Sequence, residues 1–173
     1  MRLKARSGVA AAFFLAAAVS AVSAATAQNA ADPVQEAKKH YNFAVQYKNS
    51  QNYEDSKRQY EKAIALCDTM YQFYFSYADL LTKMNRPEAA DAALLRALAL
   101  NPKHFQTMAL LAERYRQTAK HDSALVMYER MYAVEPEHRE LLAGIAGYRE
   151  YLGDRGAALV AYEELIAKGE DSY

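Results

Sequence analysis

Residues 71–104, YQFYFSYADLLTKMNRPEAADAALLRALALNPKH, contain the unit that repeats along this chain. Two runs with helical spacing of apolar residues flank the turn-prone tripeptide Asn85-Arg86-Pro87, and a second turn follows at Pro102. The same pattern continues without a gap in residues 105–138, recurs more loosely in 139–172 and precedes the unit in 37–70. Four copies with a period of 34 residues predict four helix-turn-helix repeats.

The size of the side chain is nearly constant at four positions of the repeat. The small ones occupy the eighth and twentieth positions, which are Ala44, Ala78, Ala112, Ala146 and Ser56, Ala90, Ala124, Ala158. The bulky ones occupy the seventh and twenty-fourth positions, which are Phe43, Tyr77, Leu111, Ile145 and Tyr60, Leu94, Tyr128, Tyr162. Since residues three, four and seven apart share one helix face, we expect the small residues to let paired helices approach closely and the bulky ones to fill the space beside them.

Turn-forming residues mark where the helices end. Pro87 is well placed at the first position of a helix, where its missing N–H costs nothing. Pro102 and Pro136 follow the second helices of their repeats and are predicted to stop them, whereas the first repeat has the weaker stop Asp68.

This arrangement resembles the tetratricopeptide repeat family over about residues 37–172. Further matches stand at the eleventh, twenty-seventh and thirty-second positions, namely Tyr47, Leu81, Tyr115, Ala63, Ala97, Pro102 and Pro136. Four residues depart from the family pattern and make the fourth repeat the least regular: His40, Met131, Arg149 and Leu165. The resemblance implies an all-α, right-handed solenoid of eight antiparallel helices, with the repeats 37–70, 71–104, 105–138 and 139–172 stacked around one core.

The first 27 residues have the pattern of a secretory signal peptide. Three basic residues precede a long apolar run, and Ala25-Thr26-Ala27 forms a small-x-small cleavage site before Gln28, with Val22-Ser23-Ala24 as a second choice. We therefore expect a mature chain that is periplasmic or secreted. The apolar run is also about long enough to span a bilayer, so an uncleaved inner-membrane anchor, with the repeats facing the periplasm, is the alternative.

After the cleavage site, residues 28–36 are predicted to be a short lead-in, with Asp32 or Pro33 opening the first helix. Loss of residues 1–27 would take three from the 21 basic residues and leave 18 against 21 acidic ones, a net charge of about −3. Nucleic-acid binding usually needs a basic excess, so nucleic acid is not an expected partner.

Cys67 is the one cysteine, which excludes an intramolecular disulfide. We expect it to be a small, partly buried residue at the end of a helix, with an intermolecular disulfide as the alternative. The chain lacks the spacings of a zinc site, a phosphate loop, a dinucleotide fingerprint or a nucleophile elbow, so no metal, cofactor or catalytic residue is predicted. Gly144 and Gly147 interrupt a helical pattern, which indicates either a loose last repeat or close approach of a partner backbone.

The resemblance also implies that the first helices of the repeats line a concave groove. The predicted partner-binding residues at these positions are Lys38, Tyr41, Lys48, Phe75, Asp79, Lys83, Glu113 and Arg116. Both charge signs occur, and the aromatic residues concentrate in the N-terminal half, which favours an extended peptide or a partner helix as ligand. Tyr41 and Phe75 are candidate anchors, because aromatic side chains often dominate interface energy, or else they only cover neighbouring helices.

Two alternative uses of the groove can be weighed from its residues. The family's carboxylate clamp uses Lys, Asn and Arg, whereas the matching positions here hold Tyr41, Val45, Asp79, Ala109 and Glu113, so a clamp is not expected. Asp79 and Glu113 share one position in adjacent repeats, about 10 Å apart, a separation at which carboxylate pairs can hydrolyse a substrate. An open groove does not raise a carboxylate pKa, however, so solvated charges facing a partner are favoured.

The last helix is predicted to leave apolar side chains uncovered, since repeat arrays need a polar cap and none follows here. Leu159, Tyr162, Leu165 and Ile166 form this possible oligomer face. The sequence therefore predicts first a non-enzymatic scaffold that binds a protein segment in the groove. The alternative is a structural subunit that oligomerises through its C-terminal face, and a hydrolase using the groove carboxylates ranks last.

Overall fold

The computed structural model describes residues 32–170, and these residues form eight α-helices with no strand among them. The helices are α1 (Pro33–Asn49), α2 (Tyr53–Leu66), α3 (Tyr71–Lys83), α4 (Pro87–Leu100), α5 (Phe105–Gln117), α6 (His121–Val134), α7 (Arg139–Tyr151) and α8 (Arg155–Glu170). Helices α3, α5 and α7 start at residues 71, 105 and 139, which confirms the period read from the sequence. The fold is an all-α, right-handed solenoid of helix pairs, as the resemblance implied. Of the predicted signal peptide, nothing lies within the described residues.

The chain reverses direction at one recurrent turn. The residue at the fifteenth position of each repeat has a left-handed backbone, namely Gln51 (φ 60°), Asn85 (φ 55°), Ala119 (φ 54°) and Gly153 (φ 87°). After α3, the Arg86 N–H donates to the carbonyl of Leu81 and the Asn85 N–H to that of Thr82, which is the pattern of a Schellman cap. The same cap at every fifteenth position makes the two helices of each repeat antiparallel.

The helix ends agree with the signals in the sequence. The Asp32 side chain accepts a hydrogen bond from the Val34 N–H, so Asp32 caps α1 and Pro33 is its first residue. Helices α4 and α6 end two residues before Pro102 and Pro136, which confirms these prolines as stops. Cys67 is the half-buried C-cap of α2, in agreement with the expected place at a helix end.

The small positions bring the paired helices into close contact. Ala44 and Ser56 are fully buried, and the Ser56 hydroxyl donates to the Ala44 carbonyl at 2.7 Å. Ala90 and Ala124, which hold the same place as Ser56 in the next two repeats, are also fully buried. The prediction of a close crossing between the paired helices is therefore confirmed.

The bulky positions fill the core only where a neighbouring repeat exists. Leu111 and Leu94 are buried in the central cluster between the second and third repeats. By contrast, Phe43 in α1 remains 51% exposed and Tyr162 in α8 remains 36% exposed. The expectation that the bulky residues fill the core was thus wrong for Phe43, because no described helix precedes α1, whereas the exposure of Tyr162 agrees with the predicted uncovered face of the last helix.

The departures from the family pattern are accommodated by local contacts. Arg149, where an aromatic residue was expected, pairs with Glu129 at 2.8 Å and donates to the Ala157 carbonyl at 3.3 Å. Met131 is buried, and Leu165 is half-buried against the cluster around Ile145. The fourth repeat is therefore packed in the same way as the others, and Leu165 points into it instead of belonging fully to the uncovered face.

The two helical glycines differ in their surroundings. A Cβ atom added at Gly144 would lie 2.8 Å from Cε1 of Tyr128, whereas one at Gly147 would have no atom within 4 Å. Gly144 thus admits the Tyr128 ring of the chain itself, so neither a loose repeat nor a partner backbone is needed to explain it.

Alanine substitution should separate these two roles. We expect Gly147→Ala to raise the free energy of unfolding by up to about 1 kcal/mol, since alanine favours the helix. Gly144→Ala should lose this gain, because the new methyl group displaces the Tyr128 ring. Urea unfolding monitored by circular dichroism measures both, and equal gains at the two sites would contradict the close Tyr128 contact.

Among residues 32–170, no helix combines the length and apolar character needed to cross a membrane.

Candidate functional site

The surface along the first helices of the repeats, α1, α3, α5 and α7, is where the sequence predicts a groove, and it is called here the inner groove. A hollow of about 200 Å³ lies in it between α3 and α5. Its lining residues are Ala78, Asp79, Thr82, Leu94, Leu110, Glu113, Arg114 and Gln117. The structure thus brings Asp79 and Glu113 to one hollow, as their shared repeat position predicted.

The hollow combines an apolar floor with a polar rim. Ala78 and Leu94 are buried beneath it, whereas Leu110 is 43% exposed and offers apolar surface to a ligand. Leu110 was missed in the sequence analysis because it stands at the sixth position, which holds Asn42, Ser76 and Gly144 in the other repeats. The sequence does contain one indication of its role, because Leu110 is the apolar residue at a position that is polar or small in the other three repeats.

An ion pair joins two predicted groove residues across a repeat boundary. Lys48 Nζ of α1 donates to Asp79 Oδ2 of α3 at 2.7 Å. The Lys48 side chain is 17% exposed and that of Asp79 is 43% exposed, so the carboxylate remains accessible from the groove. Lys48 therefore orients Asp79 and compensates part of its charge, while the other carboxylate oxygen is open to a partner.

Glu113 is held by two residues of its own helix. Arg116 donates to it at 2.6 and 2.8 Å, and Gln117 donates at 2.8 Å. The hydrogen bonds from Arg116, supported by Gln117, lower the pKa of the Glu113 carboxyl to about 2. Glu113 is thus ionised at neutral pH and is an acceptor of hydrogen bonds in the hollow.

The two predicted aromatic anchors make most of their contacts inside the protein. The Tyr41 ring stacks on Phe73 with centroids 5.0 Å apart, and its hydroxyl lies 3.0 Å from Ser76 Oγ. Phe75 meets the His104 ring edge-on at 5.0 Å. Both are half-buried, so they build the groove wall and expose only part of each ring, while Lys38, Lys83 and Arg116 are exposed at its edges.

A second aromatic cluster lies in the C-terminal half of the described chain, between α6 and α7. The His121 ring is 4.5 Å from Tyr151 and 6.1 Å from Tyr148, and Tyr148 is 5.3 Å from Tyr128. Tyr151 is 70% exposed, the highest value among the described large hydrophobic residues with exposed side chains. The sequence signal was weak because these rings come from two helices and four different repeat positions.

The opposite face of the solenoid carries a hollow of about 400 Å³ between α2 and α4. Ile64, Ala65, Tyr74, Ala92 and Ala93 line it, with Glu61, Tyr77 and Arg96 also at its wall. An equivalent hollow of about 320 Å³ adjoins Ala161 in the last repeat, whereas Met127 is buried at the matching position of the third. The hollows occur where this position is alanine, so they follow from side-chain size, and the mixed polarity of the inner groove makes it the better candidate for a ligand.

Among the described residues, no group of three His, Cys, Asp or Glu side chains is placed to hold a metal ion.

The architecture of stacked, antiparallel helix pairs defines an α-solenoid with a groove along its first helices. Residues 71–104 match a family model described as tetratricopeptide repeat. The chain therefore contains a segment that matches the tetratricopeptide repeat at residues 71–104, within a solenoid built of similar helix pairs.

Solved structures share this fold at low sequence identity. A crystal structure of MamA is 23% identical with a TM-score of 0.60, and 82% of each chain is covered. YrrB, described as a TPR protein with an unusual peptide-binding site, is 20% identical with a TM-score of 0.56, covering 79% of this chain and 70% of YrrB. The first TPR of Spaghetti (RPAP3), bound to the HSP90 peptide SRMEEVD, is 18% identical with a TM-score of 0.57, covering 69% of this chain and 95% of that one. No curated protein sequence matches the chain.

Proposed function

We propose that this protein is a non-enzymatic scaffold of the cell envelope that binds a segment of a partner protein in the inner groove. The hollow between α3 and α5 is the observation that carries this proposal, because it places exposed apolar surface beside two carboxylates. Two proteins of the same fold are also described with peptides, YrrB with its peptide-binding site and the first TPR of RPAP3 with its bound HSP90 peptide.

The chemistry of the hollow indicates what kind of segment fits. An apolar side chain of the partner would rest on Leu110 and the floor beneath it, where burial contributes roughly 25 cal/mol per Å² of apolar surface. Asp79 and Glu113 accept hydrogen bonds, so a lysine, an arginine or backbone N–H groups of the segment would face them. The ligand is therefore a segment with an apolar residue next to a basic one.

A terminal carboxylate does not fit this place. The positions of the family's carboxylate clamp hold two acidic residues here, Asp79 and Glu113, and both would repel a carboxylate. A partner that binds by an internal segment is favoured over one that binds by its C-terminus.

We assign the scaffold to the periplasm on the pattern of residues 1–27, with an inner-membrane anchor facing the periplasm as the alternative. Cell fractionation followed by mass spectrometry distinguishes the two. A soluble periplasmic protein beginning at Gln28 supports export with cleavage, and a membrane-bound full-length chain supports the anchor. A full-length cytoplasmic chain would contradict the envelope location.

The groove is tested by the substitution Leu110→Glu in an affinity purification from envelope extract. A third carboxylate in the hollow removes the apolar contact and adds repulsion, so recovery of the partner should fall by more than about tenfold, equal to about 1.4 kcal/mol. Leu95→Glu is the matched control, because Leu95 is 47% exposed, similar to Leu110, but lies on α4 outside the hollow.

Equal recovery of the partner with Leu110→Glu and with the unsubstituted protein would refute the groove as its binding site. The double substitution Asp79→Asn and Glu113→Gln then tests the charges separately. It should weaken binding and reduce its dependence on salt, since two charges that face basic groups are lost.

A further inference from the structure

Both ends of the solenoid expose apolar side chains that the repeat pattern assigns to a core. The N-terminal face consists of Phe43 and Tyr47 on α1, which are 51% and 38% exposed. The C-terminal face consists of Leu159, Tyr162 and Ile166 on α8, which are 59%, 36% and 62% exposed. Within residues 32–170, nothing covers either face. Each face therefore has the composition of one half of a junction between repeats.

The junctions inside the chain show how such halves fit together. Between the first two repeats, Tyr77 at the seventh position packs on Tyr60 at the twenty-fourth, with ring centroids 5.8 Å apart. The Tyr77 hydroxyl donates to Glu61 at the twenty-fifth position at 2.9 Å. The seventh position of one repeat thus packs on the twenty-fourth and twenty-fifth of the repeat before it.

At the last junction, between the third and fourth repeats, the contact is made from the eleventh position, one helical turn after the seventh. Arg149, at the eleventh position of the fourth repeat, donates to Glu129 at 2.8 Å, and Glu129 stands at the twenty-fifth position of the third. In the central junction, Leu111 and Leu94 occupy the seventh and twenty-fourth positions and share one buried cluster. A donor on the first helix of one repeat therefore meets a glutamate on the second helix of the preceding repeat at two of the three internal junctions.

The two uncovered faces carry the matching halves of this contact. Phe43 and Tyr47 stand at the seventh and eleventh positions, and Tyr162 stands at the twenty-fourth. Glu163, which is exposed, stands at the twenty-fifth position, as Glu61 and Glu129 do. The Tyr47 hydroxyl can donate to Glu163 from a second copy, as the Tyr77 hydroxyl donates to Glu61 within the chain.

We propose that α1 of one copy of this chain docks on α8 of a second copy, so that the solenoid continues from molecule to molecule. Phe43 then covers Tyr162 and Ile166, and Tyr47 bonds to Glu163. This contact joins two different faces, so it is heterologous and each bound copy still presents one free face of each kind. The assembly grows by addition of further copies and does not stop at a dimer unless the rotation closes a ring. It leaves the inner groove open and is independent of the proposed ligand.

Sedimentation of the purified protein over a range of concentrations tests the assembly. We expect the average mass of the unsubstituted protein to rise with concentration beyond that of a dimer. Phe43→Glu and Ile166→Glu each place a charge on one apolar face and should weaken self-association by more than about tenfold. Val126→Glu is the matched control, because Val126 is 47% exposed on α6 and belongs to neither face, and it should assemble like the unsubstituted protein.

Mixing the two variants distinguishes this contact from other dimers. Phe43→Glu keeps an intact C-terminal face and Ile166→Glu keeps an intact N-terminal face, so an equimolar mixture should form dimers and nothing larger. A symmetric contact between two C-terminal faces predicts instead that Phe43→Glu dimerises alone and that mixing restores nothing, which would overturn the proposal. A monomer at every concentration of the unsubstituted protein would overturn it as well.

Circular dichroism of each variant checks that the fold is retained. If one variant unfolds, Tyr47→Glu replaces it on the N-terminal face or Leu159→Glu on the C-terminal face, and the same mixing result is expected. Leu110→Glu should assemble like the unsubstituted protein, because Leu110 lies in the hollow and on neither end face. Loss of the head-to-tail contact can therefore be distinguished from loss of ligand binding in the groove.

Discussion

Leu111→Ala is expected to lower the free energy of unfolding by about 3 kcal/mol, within the range of roughly 2–5 kcal/mol for leucine truncation in a core. Leu111 has no exposed surface and lies in the central cluster with Leu94, Leu98 and Met108. Truncation removes the favourable transfer free energy of the lost atoms and leaves a cavity. The surrounding helices are held by neighbours on both sides, so they can fill this cavity only in part. The position links the second and third repeats, so the loss affects the middle of the array.

Urea unfolding monitored by far-ultraviolet circular dichroism measures this effect. Leu110→Ala is the matched control, because Leu110 precedes Leu111 on the same helix but is 43% exposed, and it should cost less than about 1 kcal/mol. Each repeat contacts only its neighbours, so a weakened junction allows the two halves of the array to unfold at different urea concentrations. The unfolding transition should therefore also become broader. Equal losses for the two variants would contradict the assignment of Leu111 to the core.

The features of this fold that the sequence predicts are the local ones. Helix starts at residues 71, 105 and 139 followed from a period of apolar residues and from turn chemistry, both of which are properties of a short stretch of chain. The small eighth and twentieth positions were equally clear, because a close helix crossing admits only small side chains. Such features recur in every repeat, and recurrence makes them visible in a single sequence.

The exposure of the bulky residues at the N-terminal end of the array was not predicted from the pattern. Phe43 fits the seventh position as well as Leu111 does, yet Phe43 is 51% exposed and Leu111 has no exposed surface. Burial depends on the neighbouring repeat as well as on the residue type, and the pattern describes only the residue. Tyr162 at the other end shows the same effect, whereas Leu165 escapes it because it points back toward Ile145 within its own repeat.

The shared hollow of Asp79 and Glu113 was predictable in its position but not in its chemistry. Asp79 and Glu113 were correctly placed on one surface, since they share a repeat position. The ion pair of Lys48 with Asp79 and the hydrogen bonds of Arg116 to Glu113 depend on side-chain conformations that the sequence does not specify. Leu110, which gives the hollow its exposed apolar surface, differs from its counterparts in the other repeats and was invisible to an analysis based on recurrence.

Two arginines make ion pairs between the first helix of one repeat and the second helix of the repeat before it. Arg114 pairs with Asp91 and also donates to the Pro87 carbonyl at 3.2 Å, which ties α5 to α4. Arg149 makes the corresponding link from α7 to α6. The hydrogen bond that the Arg114 guanidinium donates to the Asp91 carboxylate raises the pKa of Arg114 further. Polar residues at these positions therefore maintain the stacking that the sequence analysis had put in doubt for the fourth repeat.

The small twentieth position provides the strictest test of the helix crossing. Ala124 is fully buried on α6, and the equivalent Ser56 has its hydroxyl 2.7 Å from the Ala44 carbonyl of the paired helix. One heavy atom beyond Cβ is therefore enough to reach the backbone carbonyl of the facing helix. We expect Ala124→Leu to lower the free energy of unfolding by about 1 to 3 kcal/mol, because three further carbon atoms force the helices of the third repeat apart.

Two control variants show whether size at the crossing is the cause. Ala124→Ser should cost less than Ala124→Leu, since serine occurs at this position in the first repeat and its hydroxyl can donate to the Ala112 carbonyl as Ser56 donates to that of Ala44. Ala133→Leu, at an exposed position of the same helix, should change the free energy of unfolding by no more than about 0.5 kcal/mol. If Ala124→Leu unfolds at the same urea concentration as Ala133→Leu, α5 and α6 are not in the close contact described, and the spacing that defines all four repeats is incorrect in the third.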